Sequence, residues 1–251
     1  MAAHAFVLHL ARARARHENA QALLTDCGVA GEIWPAVDGA ALSMDDLTAQ
    51  VGAELFAPTY PFALRPGEVG CFLSHRQIWA EIVRRDLDHA LVLEDDVALD
   101  PAAFPQALRL AQRNVAALGY IQLQTRPQQC SASLIDQEDG CRLTQPVVTQ
   151  VRTSAQLVSR TAAAQLLERS ARIDRPVDTF LQSHWFTGLR LGAVWPAGVR
   201  TISERLDGST IQTGAKPLGE RLWREGARML YRRRAARLAR QSPAPRHEAG
   251  K

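Results

Sequence analysis

Apolar and polar positions along the chain keep two alternating rhythms, one of short apolar runs and one of three- and four-residue spacing. The run Ala5-Phe6-Val7-Leu8-His9-Leu10 predicts a strand, and the polar, alanine-rich segment from Arg12 to Asp26 predicts a helix that stops at Gly28. Glu32-Ile33-Trp34 and Ala36-Val37 predict a second strand ending at Asp38-Gly39. Ser43 before Met44-Asp45-Asp46 supplies an N-cap with acids in the first turn, hence a short helix to about Val51. From Gly67 to Asp86, Cys71, Ile78 and Ile82, with Phe72, Trp79 and Val83 beside them, recur at helical spacing. His89-Ala90-Leu91-Val92-Leu93 is an unbroken apolar run, the pattern of a central strand covered on both faces.

The rhythm continues with a helix from Ala102 to Leu118, a strand Tyr120–Leu123, and a polar stretch from Arg126 to Pro146. A strand at Gln156-Leu157-Val158 leads into a helix from Thr161 to Ala171, and Pro176-Val177-Asp178 opens another with proline near its first position. This alternation predicts an α/β fold, a mostly parallel central sheet flanked by helices. No repeat or Pro/Gly/Ser linker interrupts the body, so the reading is one domain over residues 1–218, an amphipathic Arg-rich helix over 219–241 and a disordered tail over 242–251.

Composition changes this picture in one place. Of 251 residues, 46% are hydrophobic and 22% charged, the proportions of a globular protein large enough to need neither disulfides nor structural metal. The net charge of +4 is misleading: from Gly219 to Lys251 ten basic side chains face three acids, a surplus of +7, which leaves −3 on the body. A basic tail on a mildly acidic body gives no reason to expect nucleic acid. Cys27, Cys71, Cys130 and Cys141 have neither paired nor zinc-finger spacing, which points to reduced thiols. No apolar run reaches the roughly 20 residues of a membrane span or forms a signal core, so a cytoplasmic location is expected.

The most informative stretch is Leu91-Val92-Leu93-Glu94-Asp95-Asp96, where three carboxylates emerge from a buried strand. Ligands in open α/β sheets bind beyond the carboxyl ends of strands, and an extended backbone sends Glu94 and Asp96 one way and Asp95 the other. Two like charges on one side are either a solvated turn or a site for a cation, and oxygen ligands suit Mn²⁺ or Mg²⁺ with a diphosphate. Neither a P-loop nor a dinucleotide-binding glycine turn is present in the sequence.

Several collinear blocks together resemble glycosyltransferase family 25: the first strand with Arg16, Ala36-Val37-Asp38-Gly39, Gly67-Glu68-Val69-Gly70-Cys71-Phe72-Leu73-Ser74-His75 with Trp79, Leu93-Glu94-Asp95-Asp96-Val97, Pro176-Val177-Asp178 and Ser209-Thr210-Ile211. His9 departs from the asparagine frequent in the first strand of that family, and Gln156 from an aromatic residue. The resemblance implies a GT-A type nucleotide-diphospho-sugar transferase fold and inverting transfer of galactose or glucose from a UDP-sugar, usually with Mn²⁺. The acceptor would be a lipid-linked oligosaccharide in lipopolysaccharide or related surface-glycan synthesis. On this reading Asp96 and Glu94 hold the metal and Asp95 is a ribose or structural contact. Asp178 is the base for the acceptor hydroxyl, or else an ordinary first-turn acid kept ionised by the helix dipole. Asp38, Arg16, His75 and Glu68 are expected at the donor. Their plain alternatives are a turn, a surface arginine, a core histidine and a helix-start acid. His184 reads as a lone exposed histidine rather than a metal ligand.

Along Glu220 to Arg232 a helical projection gathers Leu222, Trp223, Gly226, Ala227 and Leu230 opposite Arg221, Arg224, Arg228 and Arg232. Such a helix suits an anionic membrane surface on the inner face of the cytoplasmic membrane, or else docks its apolar side on the protein. Two other functions fit the same sequence: a metal-dependent nucleotidyl- or phosphotransferase, and a non-catalytic fold whose basic tail binds membrane or nucleic acid.

Overall fold

The computed structural model describes residues 3–205 and 218–242. The Ser209-Thr210-Ile211 block and nearly all of the expected disordered tail lie outside the described residues. Ten strands and eight α-helices follow in chain order: β1 (Ala3–His9), α1 (His17–Asp26), β2 (Gly31–Pro35), α2 (Met44–Gln50), α3 (Pro66–Arg84), β3 (His89–Glu94), β4 (Val97–Leu99), α4 (Phe104–Leu118) and β5 (Tyr120–Leu123). Then come β6 (Ala132–Glu138), β7 (Cys141–Pro146), β8 (Ala155–Ser159), α5 (Arg160–Arg169), α6 (Val177–Gln182), α7 (His184–Thr187), β9 (Gly192–Trp195), β10 (Val199–Thr201) and α8 (Leu218–Gln241).

The central sheet has eight strands in the order β2-β1-β3-β8-β5-β9-β7-β6. Propagating the pairings across it, six strands point one way and only β8 and β7 oppose them, so the sheet is mostly parallel, as expected. Strand β3 lies inside the sheet between β1 and β8, which is why its apolar run is continuous.

Alternation along the strands splits the core into two layers. Ala5 and Val7 of β1 and Leu91 and Leu93 of β3 join α1 and α4 on one face, through Leu23, Leu110 and Val115. Phe6 and Leu8, with Ala90 and Val92, face α3, α5 and α6 through Ile78, Trp79, Leu166 and Phe180. That parity holds to Glu94, the last residue of β3, whereas Asp95 and Asp96 lie in the turn before β4 and not in the extended backbone expected there.

Three boundaries depart from the sequence expectation. The first helix begins only at His17, because Arg14–Arg16 form a 3₁₀ turn. The second strand ends at Pro35. Pro176 caps α6 from outside instead of occupying its first turn. The polar stretch 126–146 is mostly a hairpin: β6 and β7 pair antiparallel across Asp139-Gly140, both at positive φ (47° and 82°). Asp-Gly is the favoured dipeptide for that tight turn, and the edge position of β6 leaves it polar.

Candidate functional site

Two cavities meet at the C-terminal end of β3. The smaller, about 140 Å³, is lined by Arg12, Arg16, Asp38, Gly39, Cys71, Ser74, Glu94, Asp95 and Asp96, among others. The larger, about 390 Å³, is bounded by Tyr60, Phe62, Glu68, Arg152, Asp178, Arg228 and Tyr231. Cys71 and Glu94 line both.

The end of β3 and the turn that follows it give each carboxylate its own surroundings. Asp95 turns to the α1 side, where its Oδ2 meets His9 Nδ1 at 2.8 Å and its Oδ1 accepts from Arg16 Nη1 at 3.1 Å. Asn19 on α1 donates to the carbonyls of Asp95 and Val97 at 2.8 and 2.9 Å, and so pins the strand end. Arg16 is buried, which corrects the surface alternative, and its Nη1 also lies 3.7 Å from Asp96 Oδ2. His9, a departure from the family pattern, thus has a defined task as a partner of Asp95.

Glu94 and Asp96 remain for the cavity. Asp96 Oδ1 is buried without a hydrogen-bond partner, and burial, reinforced by the charge of Glu94, pushes Asp96 up to about 6. Desolvation also acts on Glu94, but His75 and the hydrogen bond from Thr153 Oγ1 at 2.7 Å hold it below the usual carboxylate range. An orphaned carboxylate oxygen beside a second carboxylate is a donor set that fits a hard divalent cation.

The other expected donor residues divide between the two cavities. Asp38 lines the smaller one, accepts from Arg12 Nε at 2.8 Å and from Ala40 N at 3.0 Å, and so also makes the turn. Glu68 lies on the larger cavity and accepts from the Arg65 backbone N–H at 2.8 Å, capping α3. His75 is fully buried, with Nε2 3.6 Å from Glu94 Oε1 and Nδ1 3.4 Å from Gln156 Nε2. The glycines at the start of α3 serve close packing: a Cβ on Gly70 would stand 2.6 Å from Gly39 N and Val37 O. That contact seats the 37–39 turn on the helix and shapes the smaller cavity.

Asp178 lines the larger cavity, half-buried in the first turn of α6. Its Oδ1 accepts from Thr179 N at 2.6 Å, yet burial, with Glu94 and Glu68 adding charge repulsion, pushes its carboxyl above the ordinary value. Burial of this carboxyl thus opposes the ionising influence expected of its helix-start position. The expectation for His184 is corrected. It is buried in α7 away from both cavities, and burial followed by Arg190 pushes it down to about 4.

The sequence reading missed the part that α8 plays in the site. Arg228, Tyr231 and Arg232 of α8 line the larger cavity. The Arg224 guanidinium stacks 4.6 Å from the Phe62 ring centroid, and Tyr231 meets Tyr60 edge to face at 5.4 Å. Trp223 and Leu230, expected to share an apolar face, are 62% and 50% exposed, although Trp223 meets Phe62 edge to face at 6.1 Å, and the residues that α8 buries are Tyr231, Ala235 and Ala239. Recurrence of Arg228, Tyr231, Ala235 and Ala239 at helical spacing is the signal that marks the inward face. No helix among the described residues is long and apolar enough to cross a membrane.

Comparison with known proteins places this geometry in a family. A Drosophila melanogaster "Glycosyltransferase 25 family member" is 39% identical over 120 residues, 46% of this chain and 19% of the relative. Human "Procollagen galactosyltransferase 2" is 38% identical over 100 residues, 38% of this chain and 16% of the relative. Human "Inactive glycosyltransferase 25 family member 3" is 42% identical over a stretch of the same length, with the same coverage. The matches thus span less than a fifth of these relatives. Among solved structures, mannose-1-phosphate geranyltransferase from Thermus thermophilus superposes with a TM-score of 0.42 at 13% identity, covering 77% of this chain and 74% of that one. Residues 2–181 match the model of glycosyltransferase family 25 (LPS biosynthesis protein), and the chain belongs to that family.

Proposed function

We propose that this protein is a GT-A type inverting glycosyltransferase that moves galactose or glucose from a UDP-sugar to a lipid-linked oligosaccharide of a surface glycan. The observation that carries this reading is the pair of cavities joined at Glu94, one lined by acids and Arg16, the other by Asp178 and aromatic rings. The smaller cavity takes the nucleotide diphosphate, with Asp38 and Arg16 toward the nucleoside and phosphates. The larger takes the acceptor: Tyr60, Phe62 and Tyr231 offer flat apolar surface to a sugar ring.

Glu94 and Asp96 are the residues that would hold Mn²⁺ or Mg²⁺. Such an ion supplies Lewis-acid stabilisation of charge on a departing diphosphate. Asp178 takes the proton of the acceptor hydroxyl, a task for which a carboxylate with a raised proton affinity is better suited than an ordinary one. Asp95 acts behind this group, holding Arg16 and the strand end in place. The outward face of α8, with exposed Trp223, Met229 and Leu230 among arginines, supports peripheral contact with an anionic membrane, where the acceptor lipid resides.

The test is a panel of UDP-sugars with Mn²⁺, Mg²⁺ or EDTA, comparing the wild type with Asp96→Ala and Asp178→Asn. UDP release from one donor, abolished by EDTA and by Asp96→Ala, is the expected result. Failure of every UDP-sugar to bind with any metal would overturn the reading. Release of UMP, phosphate or pyrophosphate in place of UDP would point to the nucleotidyl- or phosphotransferase alternative.

A further inference from the structure

Three side chains of metal-binding type gather at Glu94, one member of the carboxylate pair. One ligand atom each from Cys71, His75 and Glu94 lie within 4.8 Å of one another. Cys71 and His75 are one helical turn apart on α3, so their side chains share a face, and β3 delivers Glu94 to it. His75 is fully buried, yet its Nε2 has no hydrogen-bond partner. A fully buried imidazole nitrogen that makes no hydrogen bond, 3.6 Å from a carboxylate oxygen and turned toward a thiol, is the unusual feature here.

The neighbour on the other side of the ring completes the arrangement. Gln156 approaches His75 Nδ1 at 3.4 Å, and its own Oε1 is buried without a partner. Turning that amide by half a rotation directs its oxygen to Nδ1–H. Metal binding then selects the tautomer whose Nε2 lone pair faces Cys71 and Glu94, a common device for orienting a ligand histidine.

We propose that Cys71 Sγ, His75 Nε2 and Glu94 Oε1 form a binding site for a borderline-soft divalent cation, Zn²⁺. One sulfur, one imidazole nitrogen and one carboxylate suit Zn²⁺ and its surrogate Co²⁺, whereas Mg²⁺ and Mn²⁺ select oxygen. The fourth position opens to the two cavities that Cys71 and Glu94 line. Binding releases the Cys71 thiol proton to solvent and forms the thiolate–metal bond. Resting on the preceding functional reading, Zn²⁺ here takes Glu94 from the Glu94–Asp96 pair and competes with the hard cation.

The experiment uses the full chain and Co²⁺ absorption. A thiolate-to-Co²⁺ charge-transfer band that saturates at a single equivalent is expected in the wild type. It is lost in Cys71→Ser, His75→Gln and Glu94→Gln, retained in a Cys130→Ser control, and bleached by added Zn²⁺. No band in the wild type, a band that survives Cys71→Ser, or one that disappears in Cys130→Ser overturns the site. So does a band lost in Cys71→Ser but kept in both His75→Gln and Glu94→Gln, which is simple thiol binding. If His75→Gln fails to fold by circular dichroism, Glu94→Gln decides. Calorimetry of UDP with Mn²⁺, with and without Zn²⁺, separates the two readings: weakening by Zn²⁺ in the wild type but not in Cys71→Ser supports competition. Absence of UDP binding beside an intact band overturns the donor assignment and the competition while the Zn²⁺ site stands.

Discussion

Arg175 Nη1 donates to the hydroxyl of Tyr231 at 3.0 Å, a contact that ties the loop before α6 to the C-terminal helix. Arg175 has no exposed surface, and its remaining bonds go to Asp174 and to the carbonyl of Phe56 at 2.7 Å. Its guanidinium lies 3.4 Å from the Phe56 ring centroid. The residue next to Pro176-Val177-Asp178 therefore also anchors a wall of the larger cavity. Tyr231→Phe removes one acceptor from a buried cation, and a loss of about 1–2 kcal/mol is expected in urea denaturation. An unchanged midpoint would show that α8 is not held through this bond.

Asp178→Asn preserves shape and removes the basic site. Donor binding should persist while the transfer rate drops about 10²–10⁴-fold. In the wild type the acid limb of the rate profile should lie above the ordinary carboxylate range, because the base acts when ionised and burial raises its pKa. A transfer rate within a few-fold of the wild type in Asp178→Asn would remove Asp178 from the chemistry.

Asp95→Asn leaves Arg16 and His9 without the carboxylate that both contact. Breaking a buried charge pair in this way costs about 3 kcal/mol, with Asp96, 3.7 Å from Arg16, offsetting part of it. Chemical denaturation without metal or nucleotide measures it. Undiminished stability together with lost donor binding would assign Asp95 to the ligand instead.

Gly70→Ala tests the packing of the 37–39 turn. Alanine in a helix interior ordinarily gains about 1 kcal/mol over glycine, but here its Cβ would press on Gly39 N and Val37 O, backbone atoms that cannot step aside. Overpacking costs about 1–3 kcal/mol, so the net sign reverses. Thermal melting and nucleotide affinity should both fall.

His184 sets a pH dependence of stability. Its folded value of about 4 is below the ordinary value of about 6.5, so the neutral ring is favoured on folding. The contribution is complete above about pH 6.5 and disappears as the pH falls toward 4, at no more than about 1.4 kcal/mol per pH unit. Since Asp96 and Asp178 titrate with the opposite sign, the difference between wild type and His184→Gln isolates it. Identical pH profiles for the two proteins would contradict the assignment.

Local rules made much of this readable in advance. The continuous apolar run of β3 and its period-two alternation separate Glu94 from Asp95 without any tertiary information, but the turn that holds Asp95 and Asp96 brings both to Arg16, which alternation does not anticipate. Helical spacing marks Cys71 and His75 as neighbours. What those rules do not contain is the identity of the opposing surface. The helical projection of residues 220–232 showed two faces, but only the position of Phe62 and the larger cavity determines that Arg224 and Arg228 turn inward. The pairing of Asp95 with His9 and Arg16 likewise bridges 86 and 79 residues, a distance that periodicity does not span. The edge hairpin was concealed because β6 buries little, although its Asp139-Gly140 turn was legible.

The parity of β3 also restricts how this gene can change. Adding or removing a single codon within the strand would exchange the faces of Glu94 and Asp95, moving Asp95 from Arg16 to the side of His75 and Glu94 from His75 to the side of Arg16. Length variation within β3 is therefore admissible only in steps of two residues, whereas the loop after β5 carries no such constraint from the sheet.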